Sequence, residues 1–96
     1  GGTESLMKQI RKHFRYRQWR SDIFTKDNYI CVFCGKRGYE IQADHYPKTF
    51  SFILKEYKIK NLEDALKCEE LWSINNGRTL CIKCHIKTDT WGKNII

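Results

Sequence analysis

The sequence predicts an α+β fold: one small domain in which two short strands and a following helix form a ββα unit, with additional helices around it. Three observations predict it. Apolar residues recur at helical spacing in Leu6-Ile10-Phe14, in Phe50-Ile53-Leu54-Tyr57 and in Leu62-Ala65-Leu66. Apolar and polar residues alternate through Tyr39-Glu40-Ile41-Gln42-Ala43-Asp44, the period of a strand. Two Cys-x-x-Cys pairs, Cys31-Val-Phe-Cys34 and Cys81-Ile-Lys-Cys84, bracket this strand. A chain of 96 residues has room for one domain and buries only about 60–65% of the surface its unfolded form exposes, so it leans on a staple. With 41% hydrophobic and 14% aromatic residues and a single proline, it has the material for a core and does not read as disordered.

Residues 4–26 read as helical, with Tyr16, Trp19 and Ile23 adding a second apolar set at i, i+3, i+7. A break is expected near Arg15–Arg17, and Asp27-Asn28 ends the helix. The chain is divided accordingly into an N-terminal basic helical segment, 1–15, and the domain proper, 16–96. Gly1-Gly2 reads as a cloning remnant, so the natural chain is expected to be longer or part of a larger protein or complex. Tyr29 to Cys34 is expected as a short strand, Gly35-Lys36-Arg37-Gly38 as a turn, and Tyr39 to Asp44 as a strand. Pro47 suits the first turn of the helix bearing Phe50 and Ile53, and Asn61 is an N-cap candidate for the next. Together these make a helical insert around 48–70. Asn75-Asn76-Gly77 is a tight turn, Arg78-Thr79-Leu80 a strand, and 82–90 a helix.

Lys plus Arg is 18 against 11 acids, a net charge of +7. That balance points to a polyanion. Lys8, Arg11, Lys12, Arg15, Arg17 and Arg20 fall in a stretch without acids, interleaved with Tyr16 and Trp19. This mixture suits phosphate contacts with base or sugar packing; its bland counterpart is a solvated helix face. No apolar run is long enough for a membrane span, and the basic start is the opposite of a signal sequence. A cytoplasmic, reducing location is expected.

Five cysteines, an odd number, argue against a closed disulfide framework. Paired disulfides would need an oxidising compartment, which nothing else supports. A thioredoxin-like motif needs one Cys-x-x-Cys in a βαβ setting that is missing here. Cys81-Ile-Lys-Cys84-His85 matches a c-type haem attachment, but that leaves the first pair unexplained. Zinc held by Cys31, Cys34, Cys81 and Cys84 accounts for both pairs, closes 46 intervening residues and supplies the staple. It brings the folded charge to about +5. Cys68 falls in a helical pattern as a small core residue.

Asp44-His45 ends a strand, Asn76 sits in the turn before the second Cys pair, and His85 follows Cys84 directly. Taken in this order, with Leu80-Cys81-Ile-Lys-Cys84-His85 and the lead-in Tyr16-Arg17-Gln18-Trp19-Arg20 through Tyr29-Ile-Cys31-Val-Phe-Cys34-Gly35, they resemble the HNH (ββα-metal) endonuclease family. The likeness is to its zinc-bearing CxxC…CxxCH members and spans roughly residues 16–90. One departure is the distance from His45 to Asn76, whose 30 intervening residues exceed those of the compact members.

The resemblance implies a treble-clef-like ββα-metal domain that hydrolyses DNA phosphodiester bonds, nicking or cutting both strands and leaving 5′-phosphate and 3′-hydroxyl ends. His45 would be the general base, its tautomer fixed by a backbone carbonyl. Asp44 and His85 would hold one catalytic divalent ion, Mg²⁺ or Mn²⁺, with Ni²⁺ or Zn²⁺ open alternatives. Asn76 would either hold the loop carrying His45 or complete the metal shell. Arg15, Arg17, Arg20, Arg78 and Lys83 are candidate nucleic-acid contacts. The structural Zn²⁺ would leave no position for water. The alternative is a zinc-ribbon module that binds nucleic acid without cutting it; a structural zinc module in a larger assembly is the third reading.

Overall fold

The computed structural model describes residues 5–38 and 40–88. Ser5 opens helix α1 (Leu6–Lys12) by accepting from the Lys8 amide at 3.3 Å. The break before α2 (Phe14–Lys26) falls at His13, not near Arg15–Arg17. His13 is extended, and its Nδ1 accepts from the Arg15 amide at 3.0 Å, so one side chain ends the first helix and caps the second. Helix α2 therefore runs unbroken through positions 15 and 16. Asn28 and Tyr29 follow in left-handed conformation, φ 57° and 60°. That corrects the strand expected over Tyr29–Cys34. Two left-handed residues turn the chain, and only a single bridge, Ile30 to Arg37, remains of strand pairing. The expected turn does form, with Gly35 and Gly38 at positive φ.

Strand β1 (Ile41–Asp44) pairs antiparallel with β2 (Arg78–Cys81), Ile41 opposite Cys81 and Asp44 opposite Arg78. The short helix α5 (Ile82–His85) follows at once. Two strands and a helix thus sit in the expected order, in a small α+β domain. Both elements are shorter than expected: Glu40, left-handed at φ 64°, stands outside the strand, and 86–88 turn instead of extending the helix, while Tyr39 and 89–90 lie outside the described residues.

Between the strands run α3 (Phe50–Glu56), α4 (Leu62–Lys67) and two 3-10 turns, Glu69–Trp72 and Ile74–Asn76. Pro47 does not open α3; Thr49 does, accepting from the Phe52 amide at 3.2 Å. Asn61 caps α4 as expected, accepting from the Asp64 amide at 2.8 Å. The crossover is structural in the full sense. Phe50, Ile53, Ile59, Ala65, Cys68, Leu71 and Trp72 from it share one buried core with Ile10, Trp19 and Ile23. Tyr57 and Leu66 of the expected stripes point outward. Trp19 Nε1 donates to the Ser73 carbonyl at 3.1 Å and Trp72 Nε1 to the Ala65 carbonyl at 2.9 Å, so both indoles are buried with their one polar atom satisfied. Asp27, at the end of α2, accepts from the Thr79 amide at 2.9 Å and ties that helix to β2.

Candidate functional site

The first cluster is cysteine. The Cys31 amide donates to the Lys36 carbonyl and the Gly35 amide to the Cys31 carbonyl, both at 2.9 Å, which curls Cys31–Cys34 into a knuckle. The Val32 amide donates to the Thr79 carbonyl at 3.0 Å and sets that knuckle beside β2. Cys81 and Cys84 come from the end of β2 and the single turn of α5. The four sulfurs lie within 4.8 Å of one another, and those of Cys34 and Cys81 are 3.7 Å apart. Tetrahedral ligands about 2.3 Å from zinc stand about 3.8 Å from each other, so the spacing already fits such an ion. It is far too wide for a disulfide, whose sulfurs bond at about 2.05 Å, and all five cysteines are free.

The thiols are unequal. Burial pushes the Cys31 thiol up, but the amides of Cys34, Cys81 and Phe33 and the Cys34 thiol together outweigh it and bring the group down to about 6. Cys84 is pushed up to about 12, first by its hydrogen bond with Cys81, then by burial and the remaining sulfurs. Without a cation the cluster holds one negative charge readily and resists more. A divalent ion removes that resistance.

The second cluster lies on the other face of the strand pair, toward the end where Asp44 faces Arg78. Strand alternation puts Ala43 against the core and turns Gln42 and Asp44 toward α5. Asp44, fully buried, accepts from Arg78 Nε through Oδ2 at 2.9 Å. Its Oδ1 stands 3.4 Å from His85 Nε2. His85, also buried, meets Gln42 Oε1 through Nδ1 at 2.6 Å. The Arg78 guanidinium stacks on Tyr46 at 3.8 Å and Phe33 at 4.9 Å, two exposed rings that flank the site.

His45 points the other way from its neighbour. Its ring lies flat on Trp19, centroids 3.9 Å apart at 10°, with Phe50 at 5.1 Å. Nε2 meets the Leu71 carbonyl at 3.0 Å. A carbonyl only accepts, so Nε2 carries the hydrogen and Nδ1 keeps the lone pair. Burial pulls this imidazole down to about 4 despite that bond, so it is neutral at pH 7. Among the described residues only the cysteines bring three or more ligand atoms together. Asp44 and His85 are a pair, and His45 is separate from them.

Asn76 is buried and fully committed to Lys48: Oδ1 accepts from its amide at 2.9 Å and Nδ2 donates to its carbonyl at 2.8 Å. The Tyr46 amide adds a bond to the Asn76 carbonyl at 3.4 Å. Of the two roles expected for Asn76, holding the loop after His45 is the one its geometry serves. Arg15 lies over Trp72 and Arg20 over Phe24, while Arg17 and Lys83 are exposed. Three contributors escaped sequence reasoning: Gln42, Arg78 as the partner of Asp44, and Trp19 as the platform under His45. For Gln42 the signal was present, since it precedes Asp44 by two in a strand and must share its face. No family model matches the chain, and no curated protein or solved structure does either.

Proposed function

We propose that this chain is a metal-dependent DNA endonuclease of the HNH (ββα-metal) type, built on a treble-clef-like zinc knuckle. The observation that carries the reading is the 3.4 Å approach of Asp44 Oδ1 to His85 Nε2. Two ligands each about 2.1 Å from one ion stand about 3.0 Å apart at a right angle and about 3.4 Å apart at the tetrahedral angle. An oxygen and a nitrogen at this separation suit Mn²⁺ or Mg²⁺, with Ni²⁺ and Zn²⁺ also compatible. When bound, such an ion supplies Lewis acidity and charge stabilisation at the scissile phosphate.

The chain's own groups do the rest. Nδ1 of His45 offers the lone pair that takes the proton of the attacking water. Leu71 and Trp19 hold that ring, and Asn76 fixes the backbone that follows it. Arg78 holds Asp44 through Oδ2. The four thiolates hold a structural zinc that joins the two ends of the site. DNA is the expected polyanion for a surface of this charge, met by phosphate contacts from Arg15, Arg17, Arg20 and Lys83.

The test is nicking of supercoiled plasmid in Mg²⁺ or Mn²⁺ by wild type and by His45→Gln, whose amide keeps a donor for the Leu71 carbonyl. Wild type should cut, and the variant should lose at least about 100-fold, the usual contribution of a general base. Failure of the zinc-loaded wild type to cut any DNA in either metal would leave the non-catalytic zinc-ribbon module as the reading.

A further inference from the structure

Two aromatic rings beside the site have no task in the reading above. Tyr46 follows His45, and Phe33 lies in the first cysteine knuckle, yet both close on one cation. The Arg78 guanidinium stands 3.8 Å from the Tyr46 ring centre and 4.9 Å from that of Phe33. Its Nε donates to Asp44 at 2.9 Å, and its side chain is only 13% exposed. The rings stay open, Tyr46 at 47% and Phe33 at 55%. Among the described residues neither packs on another ring. A single exposed ring is ordinary surface. Two rings pinned to one guanidinium, itself pinned to a buried carboxylate, keep a fixed place with π surface turned to water.

Charge complements the rings. At the far end of the strand pair, where Ile41 meets Cys81, a cleft of about 270 Å³ is lined by Lys36, Arg37 and Lys83 against one acid, Glu40. Aromatic faces near a basic groove are what single-stranded nucleic acid stacks on. A paired base hides both faces against its neighbours, whereas an unpaired base offers them. We propose that Tyr46 and Phe33, set by Arg78, form a stacking platform for unpaired DNA bases, so that the chain prefers DNA with bases out of the helix to fully paired duplex. The assignment rests on the reading above for DNA as the partner, and it holds whether or not the chain cuts.

The experiment reads binding, not cleavage. Fluorescence anisotropy of the zinc-loaded protein, without Mg²⁺ or Mn²⁺, compares three duplexes of equal length and phosphate number. One is fully paired, one has a central thymine–thymine bubble, and one has the same bubble made abasic. The two bubbles interrupt the duplex at the same steps, so their difference reads the bases alone. Wild type should hold the thymine bubble at least about 5-fold more tightly than either of the others. Tyr46→Leu and Phe33→Leu keep apolar bulk without a π face. Each should cut that preference at least about 2-fold while binding the abasic bubble as before, and Tyr46→Trp should keep it. Zinc content and melting temperature should match wild type; Tyr46 lies outside the knuckle and carries the test if Phe33→Leu loses zinc. Equal wild-type affinity for the two bubbles overturns the platform and leaves the nuclease reading standing, as does a preference that Tyr46→Leu leaves whole. A preference shown by a wild type that cuts no DNA supports the platform on a non-catalytic module. A wild type that holds none of the three duplexes overturns both readings.

Discussion

Gly77 is the residue whose replacement by alanine tests the packing beneath the site. Its φ of −156° is ordinary extended backbone, so conformation does not demand glycine. Space does. A Cβ there would stand 2.4 Å from Ile23 Cδ1, 2.9 Å from Ile23 Cγ1 and 2.8 Å from Trp19 Cζ2. All three atoms belong to fully buried side chains, and Trp19 cannot retreat because its other neighbour is the His45 ring at 3.9 Å. Overpacking of this kind costs about 1–3 kcal/mol. For a domain of this length, with unfolding entropy near 2.1 cal/mol/K per residue, Gly77→Ala should lower the melting temperature by about 5–15 °C. Ile23→Val removes the nearest atom, Cδ1, at a cost of about 0.5–1.5 kcal/mol on its own. The double variant should be more stable than the sum of the two losses by about 0.5–2 kcal/mol. Urea denaturation of the four proteins measures the cycle. Strict additivity, or a Gly77→Ala protein as stable as wild type, would refute the close approach of Gly77 to α2.

Burial of His45 makes stability depend on pH. Its folded value of about 4 lies below the unfolded 6.5, so the unfolded chain binds the proton first. The contribution is complete above about pH 6.5 and drains away as pH falls toward 4, by about 2 kcal/mol between pH 7 and 4.5. Urea midpoints of wild type and His45→Gln at the two pH values isolate it, and parallel losses in both proteins would contradict the assignment. Cys34→Ser alters an exposed cysteine, so packing is spared; it should nevertheless release bound zinc and lower the melting temperature steeply, as metal analysis and calorimetry would record. A variant that melts like wild type would end the staple argument. Asn76→Ala strands the Lys48 amide and carbonyl and should cost about 1–3 kcal/mol, with hydrogen exchange quickening at Lys48; unchanged exchange there would remove Asn76 from its role.

The legible parts of the molecule were those whose chemistry is local. Cysteine spacing marked both knuckles, alternation marked β1, and Asn61 marked a helix start, because each depends on neighbours a few residues away. What escaped depends on distant partners. His13 reads as one more polar residue in a basic helix until its ring is seen capping Arg15. Tyr29 to Cys34 has strand composition, but the sulfurs must converge and the chain curls instead. Asn75-Asn76-Gly77 looks like ordinary turn chemistry, yet Gly77 is small because Ile23 and Trp19, more than fifty residues earlier, occupy the room. The Asp44–His45 split was legible from strand alternation. Their partners were less so: Arg78 and the Leu71 carbonyl reach them from across the strand pair and the crossover, whereas Gln42 was readable from its place two residues before Asp44.

The crossover between β1 and β2 carries a consequence for assembly. The two strands cannot zip from a tight turn outward, because what separates them holds most of the interior and the cover over Trp19. Their pairing is non-local and slow to close, since it needs the crossover in place, with α4 against α1 and the 3-10 turns against α2. A shortened version joining Asp44 to Arg78 by a two-residue turn would keep the four clustered sulfurs, Asp44 and His85 in sequence, yet it would delete His45 and Asn76 and leave the indole of Trp19 open to water.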